Sequence, residues 1–312
     1  MDAAAPPIAD TPDGPVHGAI IPRPSPGAIR NLLGHKGSPW VEHLEDFLLH
    51  GEDGALGGLR WWFHVASAGD LPVANVCVWE ARGAGLLGHV YTRPGFRRLG
   101  IARALMGQAL AHASRRGVRA IALNADPGSA QEAFYASLGF APVPGVEGAM
   151  LRGDASPWSG PLAAPASASA FEWGDWPGLN LAFLLRQDLP APRWASAELR
   201  GPASLEFPLL QQWFGPRRPL LLVARAGDVS VGLSALGPGG TPGEPAWVLD
   251  FAAPRAAHEA LLGEVRRAMG SLRGPVRWRV APGDPHAPDP RAAGFEPVGG
   301  ASPTEWVLQS SS

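Results

Sequence analysis

The sequence predicts an α+β (α/β) chain made of two similar domains, each with a mixed, mostly antiparallel central sheet flanked by helices. Three observations carry that expectation. The 312 residues correspond to two domains at roughly 150 residues each. Apolar alternation at a period of two switches to a 3.6-residue period and back again along the first half. Short segments also recur at a nearly constant offset. Val65–Val73 resembles Val223–Val231 and Gly139–Val143 resembles Gly294–Val298, at offsets of 158 and 155 residues. That agreement reads as an internal duplication.

The boundaries expected from composition are a flexible tail over 1–27, a first domain over 28–152, a linker over 153–170 and a second domain over 171–312. The tail and linker are rich in Pro, Ala and Ser or Asp and show no period. Within the first domain, Leu59–Ala66, Val73–Glu80 and Leu86–Thr92 read as strands of an antiparallel meander, turned at Gly69-Asp70 and at Arg82–Gly85. A helix follows from about Gly100 to Arg116, with Ala102, Leu105, Met106, Ala109, Leu110 and Ala113 on one face. Arg115 and Arg116 suit its negative C-terminal end, and Gly117 suits the position beyond it. Val118–Leu123 is a strand. Ser129 and Glu132 have the spacing of a capping box, opening a short helix that Gly139 closes, and Phe140–Val143 begins a last strand.

Composition narrows the function. Hydrophobic residues are 46% and charged residues 17%, too apolar for a disordered chain. The net charge is −2 and Lys36 is the sole lysine, so no broadly basic surface exists and no nucleic-acid partner is expected. Cys77 is the only cysteine, which excludes an intrachain disulfide and a cysteine-based zinc site. No metal is expected. No run approaches the ~18 apolar residues of a membrane span, and Met1–Pro26 lacks a signal-peptide pattern. The expectation is a cytoplasmic protein, monomeric or homodimeric, with no membrane partner.

The stretch Leu87–Ala102 carries chemistry. A strand ends, a short loop rich in Arg and Gly follows, and an amphipathic helix begins at once. The unpaired amides and positive dipole end of a helix N-terminus favour an anion, and a glycine there lets a phosphate approach the backbone. No Gly-Lys-Ser/Thr phosphate loop and no Gly-x-Gly-x-x-Gly fingerprint is present.

Here the chain resembles the GNAT acetyltransferase superfamily. Arg97-Arg98-Leu99-Gly100-Ile101-Ala102 fits its Arg/Gln-x-x-Gly-x-Gly/Ala motif. Tyr135, five residues before Phe140 of Gly139-Phe140, fits its late tyrosine. The resemblance runs from about Trp61 to Val143. It implies acetyl-CoA as co-substrate, with the pantetheine arm against the backbone of Val90 and Thr92, beside Tyr91. The amides from Arg98 to Arg103 would hold the pyrophosphate, with Arg97, Arg98 and Arg103 offering charge-assisted contacts. Many members carry an Asn before the second helix as a further cofactor contact; here Gly128-Ser129 occupies that place, with Asn124 a few residues earlier, and Ser129 reads first as a helix cap, which does not exclude a CoA contact. The implied reaction is direct acetyl transfer to an amine of a small molecule or a peptide. Tyr135 would protonate the departing thiolate, or be a core aromatic. The base is open: Leu86 occupies the place of the glutamate found in some members, leaving Glu80 and His89, each also readable as an ordinary strand residue.

The second half repeats a strand at Trp247–Ala253, a helix at about Ala256–Met269 and a strand at Val276–Ala281. Pro254 runs almost directly into the helix without the Arg-x-x-Gly-x-Ala insertion, and Pro288-Asp289-Pro290 falls where Tyr135 would be. The expectation is a degenerate GNAT-like domain. The alternative to an acyltransferase is a non-catalytic acyl-CoA-binding or sensory protein.

Overall fold

A computed structural model describes residues 7–12, 14–22, 25–34, 41, 57–162, 164–186, 193–194, 199–200, 220–241, 244–272, 274–280, 288–299 and 305–308. The chain divides into two compact units, Met1–Ala155 and Ser156–Ser312.

The first unit holds strands β1 (Ala9–Thr11), β2 (Gly14–Pro22), β3 (Arg60–Ala68), β4 (Leu71–Ala81), β5 (Ala84–Thr92), β6 (Ala120–Asn124), β7 (Ala141–Pro142) and β8 (Ala149–Gly153). Its helices are α1 (Pro26–Leu33), α2 (Ile101–Arg115) and α3 (Ala130–Ala136). The sheet order is β1-β2-β3-β4-β5-β6-β8-β7, and β5–β6 is its parallel pair. The meander forms because β-branched and aromatic residues alternate around turns that glycine permits; Gly69 takes φ 55° between β3 and β4. The apolar stripe of α2, from Leu105 to Ala113, is buried in one core with Val76, Val78, Leu87 and Ile121. Each buried Leu or Ile there stabilises by about 1.5–3 kcal/mol. Ile101, rather than Ala102, is the buried residue at the start of α2.

Two expectations are corrected. The stretch 1–27 is no tail in its described part: β2 pairs with β3 from Val16 opposite Ala68 to Pro22 opposite Trp62, and Val16 is fully buried. Its prolines, Pro15 and Pro22, lie near the strand ends, where a missing N–H is tolerated. Nor is 153–170 a linker throughout. Gly153 ends β8, α4 (Ser156–Ser159) buries Trp158, and β9 (Ala166–Ala170) pairs with a strand of the second unit. The Ala-Ser alternation there has a strand's period of two, hidden by small side chains.

The second unit continues with α5 (Trp176–Leu185), β10 (Arg193–Trp194), β11 (Leu199–Arg200), β12 (Leu220–Ala226), β13 (Val229–Thr241), β14 (Glu244–Ala252), α6 (His258–Met269), β15 (Val276–Arg279), β16 (Glu296–Pro297) and β17 (Glu305–Leu308). Among the described residues, β10 and β11 pair with each other as a separate two-stranded sheet. The main sheet runs β9-β12-β13-β14-β15-β17-β16, with β14–β15 parallel. This succession repeats β2-β3-β4-β5-β6-β8-β7 of the first unit. At the start of α5, fully buried Asp175 accepts from Arg225 Nε at 2.7 Å and from Ser230 Oγ at 2.7 Å. A buried carboxylate so paired is satisfied, and removing a partner exposes its full desolvation cost.

Candidate active site

The strand β5 ends at Thr92. A 3₁₀ turn at Pro94–Phe96 follows, and Arg98 and Gly100 then take φ of 65° and 79°. These left-handed residues aim the chain into α2. Gly100 is its N-cap and supplies no side-chain cap; the first intrahelical bond runs from the Ala104 N–H to the Gly100 carbonyl at 3.0 Å. The amides of Ile101, Ala102 and Arg103 therefore have no intrahelical acceptor. A Cβ on Gly100 would meet nothing within 4 Å, so the helix mouth is open. Leu99 is exposed beside it. Arg97 Nε donates to the Thr92 carbonyl at 3.0 Å, fastening the loop to the strand end. Arg103 donates to Ser137 Oγ at 2.8 Å and lies over the Phe134 ring, which ties α2 to the end of α3.

Beside this mouth, β5 leaves its neighbours. Its parallel pairing with β6 covers Ala84–Leu86 and stops there, so Leu87–Thr92, with Val90, Tyr91 and Thr92, offers a strand edge that β6 does not use. On the other side the register with β4 shifts: Cys77 opposes Gly88 and Asn75 opposes Tyr91, so His89 and Val90 together face Val76. This bulge places His89 at φ 51°, an uncommon conformation for a residue with a Cβ. The buried Asn75 amide donates to the His89 carbonyl at 2.5 Å and holds the bulge. Asn75 escapes sequence reading because its role exists only once the register has shifted.

Tyr135 belongs to the core that contains Ile101 and Leu105 and is 8% exposed. Burial raises its pKa, so the phenol keeps its proton through the neutral range. The Phe140 N–H donates to its backbone carbonyl at 3.2 Å, closing α3 over Gly139 in a left-handed turn. His89 is buried, with its ring stacked on Phe63 and edge-on to Trp79. Ser129 caps α3, accepting from the Glu132 N–H at 3.1 Å, and Asn124 is exposed at the end of β6.

Glu80 is corrected. The structure does not bring it to the other candidates. It pairs with Gly85, whereas the loop-proximal Thr92 pairs with Ala74, six residues or roughly 20 Å along the strand. Its buried carboxylate is held by Arg116, beyond the far end of α2. Near it, His64 Nε2 and His112 Nδ1 stand 3.3 Å apart, and burial, then His112 and Arg115, lower His64 to about 4. Among the described residues no cluster of three or more His, Cys, Asp or Glu could hold a metal, and no helix is long and apolar enough to cross a membrane.

Residues 60–142 match the sequence model of the acetyltransferase (GNAT) domain. No protein of curated function matches the chain in sequence. Among solved structures, the Escherichia coli protein ElaA is similar at 20% identity, covering 44% of this chain and 99% of its own, with a TM-score of 0.35. The PaiA N-acetyltransferase of Thermoplasma acidophilum, solved with coenzyme A, shows 14% identity, 44% and 99% coverage and a TM-score of 0.33. An acyl-CoA N-acyltransferase of Pseudomonas aeruginosa shows 19%, again 44% and 99%, and 0.33.

Proposed function

We propose that the GNAT-family domain at residues 60–142 makes this chain an acyltransferase that moves an acetyl group from acetyl-CoA to an amine. The observation that carries the reading is the open, uncapped mouth of α2 beside the stretch of β5 after Leu86, where the pairing with β6 ends. The residues fit the substrate: a diphosphate needs bare amides and no Cβ in its way, and Ile101–Arg103 and Gly100 supply both. The β5 edge from Leu87 to Thr92 would take the pantetheine arm as an added strand. Asn124 and Ser129 are secondary contacts in this reading, since Ser129 already caps α3.

The reaction is one displacement. The amine lone pair attacks the thioester carbonyl, the C–S bond breaks, and the electron pair leaves on sulfur. Tyr135, kept neutral by burial, gives that sulfur its proton. The amine must shed a proton, and His89 at the bulge is the remaining candidate base once Glu80 is committed to Arg116. The products are an N-acetyl amide and free CoA thiol. The second unit, which lacks both motifs, is read as a degenerate copy of the first.

Thiol release from acetyl-CoA in the presence of an amine panel, with the acetylated product identified by mass spectrometry, tests the reading. Amine-dependent release that falls in Tyr135→Phe while CoA affinity holds supports it. CoA binding with no amine-dependent release from any amine contradicts it and leaves the acyl-CoA-binding alternative.

A further inference from the structure

The middle of β4 carries one polar residue in an apolar run. Val73, Ala74, Val76, Cys77 and Val78 are buried, and Asn75 among them is 2% exposed. Asparagine is depleted in strands, and burying its amide costs free energy unless hydrogen bonds replace water. The Asn75 Nδ2 donates to the His89 carbonyl of β5 at 2.5 Å. That carbonyl belongs to the bulge, where His89 and Val90 together face Val76 and His89 holds φ 51°.

The bond to Asn75 fixes the direction of a second group. The His89–Val90 peptide is trans, so its C=O and N–H point opposite ways. The C=O is turned to Asn75, on the β4 side of β5. The Val90 N–H is therefore turned to the other side, where β6 neighbours β5 in the sheet and its pairing has already stopped at Leu86. That is the gap proposed to take the pantetheine arm. Arg97 ties the loop before α2 to the Thr92 carbonyl. An arm entering there reaches Val90 after two residues of strand, roughly 7 Å. When an amine adds to a thioester, the carbonyl oxygen gains negative charge. A fixed N–H aimed at that oxygen lowers the barrier more than one free to turn.

We infer that Asn75 is a positioning residue: through the His89 carbonyl it holds the Val90 N–H in the gap between β5 and β6, against the acyl carbonyl of a bound acyl-CoA. The inference rests on the acyltransferase reading and concerns a side chain that itself touches no substrate. Infrared spectroscopy of acetyl-CoA, isotope-labelled at its acyl carbonyl and bound to the full chain without amine, tests it. The carbonyl stretch is expected to fall below that of free acetyl-CoA, as it does for a hydrogen-bonded carbonyl. Asn75→Asp keeps the side chain's shape without its N–H donors, and Asn75→Thr suits a strand and ends one atom shorter. In each, the stretch returns toward the free value and kcat falls about tenfold or more, with CoA affinity and the KM for acetyl-CoA held. A merely structural role lowers the fraction of folded, binding-competent chain and leaves the stretch of the bound molecule where it was. An unlowered stretch in the unaltered chain, a reading that needs no variant to fold, overturns the inference. So does a stretch still lowered, or a kcat unchanged, in both variants. With amine-dependent thiol release intact, those results leave the acyltransferase reading standing. A lowered stretch that both variants lose, with no release from any amine, upholds the inference and sinks that reading. Failure of the unaltered chain to bind acetyl-CoA overturns both.

Discussion

Two strand-to-helix junctions of this chain, one in each unit, sit at the same place in the same strand order and are built differently. Between β5 and α2 lie eight residues, Arg93–Gly100; between β14 and α6 lie five, Ala253–Ala257. The first junction passes through two left-handed residues and ends on an exposed glycine. The second coils through a 3₁₀ turn directly into its helix, and its N-cap, Ala257, is fully buried. His258 Nε2 lies 3.0 Å from the Ala253 carbonyl beside that start. The strands differ as well. The β4–β5 register breaks at the bulge, whereas β13 and β14 pair without a shift from Leu233–Ala252 to Thr241–Glu244. Where the Phe140 N–H reaches the Tyr135 carbonyl, the Phe295 N–H reaches that of Pro290 at 2.9 Å. The same backbone turn is closed once over a phenol and once over a ring with no chemistry. The strand order rests on apolar periodicity and on turn glycines, while the proposed site rests on a loop, a bulge and a tyrosine.

The comparison can be broken most forcefully in the second unit, which is secured by a buried ion pair. Asp175→Ala removes the buried carboxylate to which Arg225 Nε and Ser230 Oγ donate and is expected to destabilise the second unit by about 3–5 kcal/mol, read as lost hydrogen-exchange protection in peptides from 156–312. Unchanged protection would mean that the pair does not secure this unit. Next comes the phenol. Tyr135→Phe keeps the ring in the core and is expected to lower kcat about 100-fold with CoA affinity unchanged, whereas Pro290→Ala leaves turnover where it was. Steady-state rates check both. The glycine follows: Gly100→Val forces a branched residue into φ 79° and puts side-chain bulk at the mouth. That bulk stands where a diphosphate would approach the Ile101–Arg103 amides, so CoA affinity should weaken about tenfold. Ala257→Gly in the other junction should do nothing to it, by titration.

The smallest effect concerns acid. His64 is neutral when folded, its pKa lowered to about 4 from the ordinary histidine value of 6.5 by burial first and by His112 and Arg115 after that. The unfolded chain binds the proton more readily. Stability from this group is therefore complete above pH 6.5 and drains as pH falls toward 4, on the order of 1 kcal/mol after allowance for solvent. His64→Phe should flatten that part of the melting-temperature profile of the first unit. An identical slope in the variant assigns the acid sensitivity elsewhere.

Much of this was readable from residues alone, for physical reasons. The meander, the stripe on α2 and the capped α3 are local patterns, since period, cap and turn residue all lie within a few positions of one another. The mouth of α2 was legible because glycine and arginine at that spacing have a local meaning. The strands β1 and β2 were not, because Pro and Gly at their ends resemble a tail and their partner is β3, tens of residues away. The ion pair of Glu80 with Arg116 joins residues 36 apart in the chain, and only packing reveals that partner.

The central claim is that one cradle exists per chain, at the start of α2. Isothermal titration of the full chain with coenzyme A measures it directly. One equivalent per chain, with affinity reduced in Gly100→Val, is the predicted result. Two equivalents per chain, or one that Gly100→Val leaves untouched, would contradict it.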